Sequence, residues 1–449
     1  MMKNYINLIL GCFLCLFFLT NCEVEDDENP VFESTAVPRI FGWSTANTYT
    51  TDISDSLIID LQVSPAEGAT FKWFVDGVEV GTGLRFKYLF PEAKDYTLKF
   101  EATRNGVTNS REAGVIVIKP FVPKTYNKKM VGFLTQNGSI NDVNFANLTH
   151  LVISSAVVGE VAGQASLVDT TLENLNIPLI IKAAHNAGVY VLLDVTGNMV
   201  TLNGGGLYAD YGFFNVVKDP AKQATAIATI MKFASNNGFD GINVYLNNTS
   251  EGVLEPVSKV EQFFKAIPAA LPPGPNGKFF YTASVPGGWT TGVLSAIAKV
   301  PEIDWVNIQP YRYEDLAPTA HSPYWAATDL VNTWVNFGMP KEKIVLGIPA
   351  FGLHYKMPKD GTQVGWGNLW QYTTYESFRD ILLKDPMAHT KNMLNVDDGI
   401  YYDGHPVIQQ KAQFVKDQGL GGLMMWSLES DTPDQSKSLL KAANTALGN

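Results

Sequence analysis

The chain has 449 residues, 46% hydrophobic and 12% aromatic against 17% charged, which suits folded domains with sizeable cores and excludes a disordered chain. Its formal net charge of −11 argues against nucleic acid as a partner, because phosphate binding needs clustered Lys and Arg. The three cysteines, Cys12, Cys15 and Cys22, all lie at the start, so neither disulfides nor a cysteine zinc site is expected beyond residue 22.

Residues 1–21 read as a targeting segment, with Lys3 ahead of the apolar run from Leu8 to Leu19. That run is too short to span a bilayer comfortably. The following Leu19-Thr20-Asn21-Cys22 resembles a bacterial lipoprotein cleavage box, although Asn21 stands where Gly or Ala is usual. The resemblance implies lipidation at Cys22 and a durable anchor, since each buried methylene contributes about 0.8 kcal/mol. An ordinary signal peptide is the alternative. Residues 22–34 form an acidic tether that resembles the export tag of Bacteroidota surface lipoproteins, implying an outer-membrane protein facing the exterior. A plain solvated linker would have the same composition.

Residues 35–121 are expected to form a small β-sandwich. Short β-rich runs at Ser56–Leu61, Thr70–Val75, Leu84–Tyr88, Tyr96–Glu101 and Ala113–Ile118 recur between turn signals. Asp76-Gly77 between apolar runs predicts a hairpin. Tyr96 resembles the tyrosine of immunoglobulin-like and PKD-like sandwiches, which makes Trp73 their core tryptophan.

Residues 122–449 alternate strand and helix patterns, the mark of a parallel α/β domain. Eight strands are predicted: Met130–Leu134, His150–Ser155, Tyr190–Val195, Gly241–Leu246, Phe279–Ser284, Trp305–Gln309, Ile344–Ile348 and Gly422–Trp426. Amphipathic helices are expected at Pro220–Asn236, Ser258–Ala270 and Pro406–Gln418, with Trp305 and Trp334 in the core. A (β/α)8 TIM barrel fits, and its function would sit at the C-terminal strand ends. The fourth strand alternates Ile242, Val244 and Leu246 with Asn243, Tyr245 and Asn247, so one face is aliphatic and the other polar.

Several motifs in this order resemble glycoside hydrolase family 18, which contains chitinases and endo-β-N-acetylglucosaminidases. They are Met130-Val131-Gly132-Phe133, Leu148-Thr149-His150-Leu151-Val152, Phe239-Asp240-Gly241-Ile242, Gly347-Ile348-Pro349-Ala350-Phe351-Gly352 and Gly421-Gly422-Leu423-Met424-Met425-Trp426-Ser427. The family's fourth strand continues Asp-x-Asp-x-Glu, where the Glu is the general acid and the middle Asp orients the substrate's attacking acetamide. Here those positions are Asn243, Tyr245 and Asn247. An Asn amide yields no proton near neutral pH, and general-acid catalysis is worth about 10²–10⁴-fold. The nearest other carboxylate along the chain is Glu251. The third strand ends Leu193-Asp194-Val195-Thr196-Gly197 where the family has Ser-x-Gly-Gly, and the sixth reads Gln309-Pro310-Tyr311-Arg312 where Met-x-Tyr-Asp is common.

The resemblance places Trp426 as the floor of the central sugar subsite and Tyr311 against an acetamide carbonyl. Asn243, Asn247 and Gln309 supply donors and acceptors suited to sugar hydroxyls, with Tyr245 beside them and Trp289 as a second platform. The six histidines show no metal-ligand spacing, and neither metal nor cofactor is expected. The reading is a catalytically degenerate barrel that binds glycans at the cell surface, with a glycan importer as the expected partner complex; that the glycans contain N-acetylglucosamine is what the family resemblance alone implies. An active hydrolase with relocated acid chemistry and a structural or protein-binding barrel are the alternatives.

Overall fold

The computed structural model describes residues 37–161, 164–168, 172, 174–197, 199–201, 207–209, 216, 219–245, 257–286, 291–311, 317–365 and 368–449. Two compact units divide at Pro120 and Phe121.

The first unit is all-β. Its main sheet orders strands Thr48–Asp52, Val107–Ile118, Asp95–Arg104, Ala69–Val75 and Val78–Thr82, and two further strand pairs join Arg39–Phe41 to Gln62–Ser64 and Ser56–Asp60 to Arg85–Leu89. Period-two burial explains the third strand of the sheet: Tyr96, Leu98, Phe100 and Ala102 are buried. They pack with Trp73, which is fully buried and donates its indole N–H to the Gly83 carbonyl at 2.9 Å. Asp76 and Gly77 both take positive φ (48° and 80°), the turn whose twist matches a two-residue hairpin. Tyr96 donates its hydroxyl to the Glu92 carbonyl at 3.1 Å, closing a tyrosine corner.

The second unit is a closed barrel of eight parallel strands, labelled β1 (Lys129–Thr135), β2 (His150–Val161), β3 (Tyr190–Gly197), β4 (Gly241–Tyr245), β5 (Phe280–Pro286), β6 (Trp305–Gln309), β7 (Ile344–Pro349) and β8 (Gly422–Trp426). Neighbours pair in sequence, and β1 closes the ring by pairing with both β2 and β8. Outward residues such as Ile242, Val244, Leu346 and Met425 join the helices in one large core. Inward residues, including Val131, Phe133, Val152, Leu192, Val345 and Met424, fill the barrel. At its N-terminal end His150 is fully buried against Tyr190, Phe280 and Trp305. Burial depresses its pKa to about 3 and keeps the imidazole neutral.

Local chemistry sets the helix starts. Asp219 accepts from the amide of Ala221 at 2.9 Å ahead of Pro220–Asn236, and Asn176 accepts from Leu179 ahead of Ile177–Asn186. Gly241 is required by close packing, because a Cβ there would lie 2.4 Å from the Phe280 carbonyl oxygen. Two features depart from simple strand–helix alternation. The β1–β2 connection holds only 3-10 turns, Ile140–Asp142 and Phe145–Asn147. Between β7 and β8 a four-stranded antiparallel sheet is inserted, ordered Thr373–Ser377, Phe351–Tyr355, Ile400–Tyr401, Met393–Leu394. His354 pins it from within, with Nδ1 2.5 Å from Glu376 and Nε2 2.8 Å from Asp397.

Candidate functional site

The site begins with the pleat of β4. Ile242 and Val244 face the helices, so Asn243 and Tyr245 face the barrel interior. Strand register sets their neighbours: Asn243 lies beside Asp194 of β3 and Thr282 of β5, and Tyr245 beside Ser284. Asn243 is fully buried. Its Nδ2 donates to Asp194 Oδ1 at 2.6 Å and to Ser284 Oγ at 3.0 Å. Its Oδ1 accepts from Thr282 at 2.8 Å and from Asn307 Nδ2 at 3.1 Å.

Asp194 anchors the other end of this network. It is fully buried, and its Oδ2 accepts from Ser154 at 2.6 Å and from Ser155 at 2.8 Å. Burial raises its pKa to about 6, against the lowering effect of the Ser154, Asn243 and Ser155 hydrogen bonds. Thus β2 to β6 are tied across the barrel by a polar layer whose charge sits on β3. The carboxylate is thus enclosed, with both oxygens engaged by the protein.

Above that layer are the C-terminal ends of the strands. Trp426 ends β8, partly exposed, with Phe133 beneath it at 5.3 Å between ring centroids. Tyr245 ends the described part of β4, its ring 5.9 Å from Trp426 and its hydroxyl 3.5 Å from Gln309 Oε1, a distance at which the hydrogen bond is weak. Gln309 ends β6, and its buried Nε2 has no hydrogen-bond partner among the described residues. Tyr311 follows, partly exposed, with its hydroxyl 4.0 Å from Met424 Sδ. Burial pushes the phenols of Tyr245 and Tyr311 well above their usual range, so both are neutral hydrogen-bonding groups. Tyr311 meets Phe351 edge-on at 5.6 Å, and Phe351 meets Tyr375 at 5.4 Å, so aromatic surface runs from the mouth onto the inserted sheet.

The structure therefore brings Trp426, Tyr245, Gln309 and Tyr311 together. Asn243, expected at the ligand surface, is corrected to a core residue, because its amide is consumed by β3, β5 and β6. Asn247, Trp289, Glu251, Arg312 and Cys22 lie outside the described residues. Sequence reading missed Asp194, Phe351 and Tyr375. For Asp194 a signal was present: Leu192, Asp194 and Thr196 alternate with the apolar Val191, Leu193 and Val195, which puts the aspartate on the same inward face as Asn243. Among the described residues no group of three His, Cys, Asp or Glu side chains is placed to hold a metal.

Comparisons with known proteins agree with this architecture. Chitinase-3-like protein 2 of Homo sapiens is 24% identical over 271 residues, covering 51% of this chain and 68% of that protein. A solved chitinase from Bacteroides thetaiotaomicron superposes with a TM-score of 0.55 at 19% identity, covering 71% of this chain and 96% of its own. The chitinase-like agglutinin of Robinia pseudoacacia superposes equally well, with a TM-score of 0.55 at 19% identity over 70% of this chain and 98% of its own. Residues 129–431, which contain the whole barrel, match the family described as Glycosyl hydrolases family 18, and the chain belongs to that family.

Proposed function

We propose that this chain is a glycan-binding member of the family that has lost hydrolysis, and that it captures N-acetylglucosamine-containing oligosaccharides. The observation that carries the proposal is the composition of the barrel mouth. A partly exposed indole is retained there beside neutral polar groups, while Asn243 and Tyr245 stand at two of the motif's carboxylate positions and the buried carboxylate, Asp194, is enclosed by internal hydrogen bonds. Stacking a pyranose on Trp426 removes apolar area from water at about 25 cal/mol per Å². Gln309 Nε2, unpartnered among the described residues, supports a ligand that brings a hydrogen-bond acceptor. Asn247 at the acid position supports loss of proton donation. That a chitinase-like agglutinin shares the fold supports the compatibility of this barrel with binding alone.

The leader and Cys22 support lipid anchoring in the outer membrane, and the acidic tether supports an outward orientation beside a glycan importer. Most of the similar proteins are named chitinases, which favours the alternative of an active hydrolase. One assay separates the two. Purified protein incubated with chitooligosaccharides and high-mannose glycopeptides is expected to release no new reducing ends, and turnover would refute the non-catalytic reading. Titration of the same oligosaccharides into wild type and Trp426→Ala tests binding: loss in the variant is expected, and unchanged affinity would remove the cleft from consideration.

A further inference from the structure

Tyr245 occupies the barrel mouth in a way that bears on which sugar substituent the cleft can read. Its side chain leaves β4, comes within 5.9 Å of the Trp426 ring on β8 and points its hydroxyl at Gln309 on β6. It therefore reaches in toward the barrel axis. Directly below, Asn243, Ser284, Thr282 and Asn307 are fully buried and bonded to one another, so a hydrogen-bonded polar layer underlies the phenol. The ring is held by register: β4 pairs with β3 through Leu192–Gly241 to Val195–Val244 and with β5 through Tyr245–Ser284, leaving the inward direction as the one available to residue 245.

A pyranose stacked on Trp426 projects its equatorial substituents close to the plane of its own ring. The substituent turned toward the barrel axis meets the phenol of Tyr245. A hydroxyl there is small enough to hydrogen-bond with the tyrosine. An acetamido group, which adds a planar amide and a methyl, needs a recess that the phenol fills. We infer that Tyr245 is a specificity-determining plug that leaves the central sugar position indifferent to the 2-acetamido group, so that an N-acetylated sugar binds with its acetamide turned to solvent and an unsubstituted β-1,4-glucan binds about as well. The inference rests on the glycan-binding reading above and widens its ligand class to unsubstituted β-1,4-glucans.

The test is titration calorimetry of the full mature chain with chitopentaose and cellopentaose, which differ in carrying acetamido groups or hydroxyls at C2. For wild type the two dissociation constants are expected within about threefold of each other, well inside the 1.4 kcal/mol that a tenfold difference represents. Tyr245→Ala opens the recess and is expected to tighten chitopentaose about tenfold while moving cellopentaose by less than threefold. Tyr245→Phe retains the ring and so the plug, and should leave chitopentaose within about threefold of wild type, with any loss falling on cellopentaose, whose C2 hydroxyl loses its partner. Wild type preferring chitopentaose by tenfold or more overturns the inference and leaves glycan binding intact, and so does a Tyr245→Ala variant with no gain. If Tyr245→Ala fails to fold, the wild-type ratio and chitopentaose binding by Tyr245→Phe still decide. Chitopentaose binding that emerges only in Tyr245→Ala supports the plug and refutes native glycan capture. No binding by any of the three proteins overturns both.

Discussion

Replacing Asp194 by Asn isolates the energetic consequence of keeping one carboxylate inside the barrel. Burial raises the folded-state pKa from 3.8 to about 6 despite three hydrogen bonds to the carboxylate from Ser154, Ser155 and Asn243. At about 1.4 kcal/mol per pKa unit, the ionised form carries a penalty of about 3 kcal/mol relative to the protonated form. The direction follows from linkage. Between pH 3.8 and about 6 the folded chain holds a proton that the unfolded chain has released, so this group's contribution to stability falls as pH rises through that window and is level above it. Asn cannot ionise, so Asp194→Asn lacks this slope.

The variant also places an amide N–H₂ against Asn243 Nδ2 or a serine hydroxyl, which subtracts a pH-independent amount. The informative quantity is therefore a difference of differences. Guanidinium unfolding of wild type and variant, followed on the barrel transition from about pH 4 to about pH 8, should show the variant gaining about 2.5 kcal/mol relative to wild type as pH rises. A difference that stays flat across the window would mean that the serine and asparagine donors fully offset desolvation, and would refute the argument that burial dominates at this site.

Lys411 and Asp403 form a buried charge pair, 2.6 Å apart, with Ser322 accepting two further bonds from the ammonium. Lys411→Met should destabilise the barrel by about 3–5 kcal/mol by stranding Asp403, whereas adding Asp403→Leu to it should restore part of the loss in denaturant titrations. Gly241→Ala forces a Cβ to 2.4 Å from the Phe280 carbonyl, so a barrel destabilised by more than about 2 kcal/mol, or an insoluble product, is expected from expression and thermal melts. Trp426→Ala should weaken oligosaccharide binding about tenfold or more in calorimetry, with the melting temperature of the small β-unit unchanged.

Much of the barrel was legible because its signals are local and repeated. The strands at Trp305–Gln309 and Gly422–Trp426 and the helix at Pro220–Asn236 were read with their observed limits, since an apolar run or a Pro-led amphipathic segment announces itself within a few residues. Trp73, Trp305 and Trp334 were read as core and are buried. The inserted sheet between β7 and β8 escaped notice because its strands are as short as two residues and carry polar groups, His354 among them, that hydrogen bonds alone make acceptable inside. The missing helix between β1 and β2 escaped because two 3-10 turns can close that connection within fourteen residues.

The amino-acid sequence by itself determined the two-unit plan, the eight strands and the inward direction of Asn243 and Tyr245, because all of these follow from local patterning and period-two alternation along the chain. Only the tertiary structure decided how deep each inward residue lies and what it touches. It put Asn243 below the surface, bonded it to a fully buried carboxylate, Asp194, on the neighbouring strand and brought Tyr245 against Trp426 and Gln309. Those contacts join residues 49 to about 180 positions apart, and they are set by barrel closure and strand register, which no local pattern in the chain encodes.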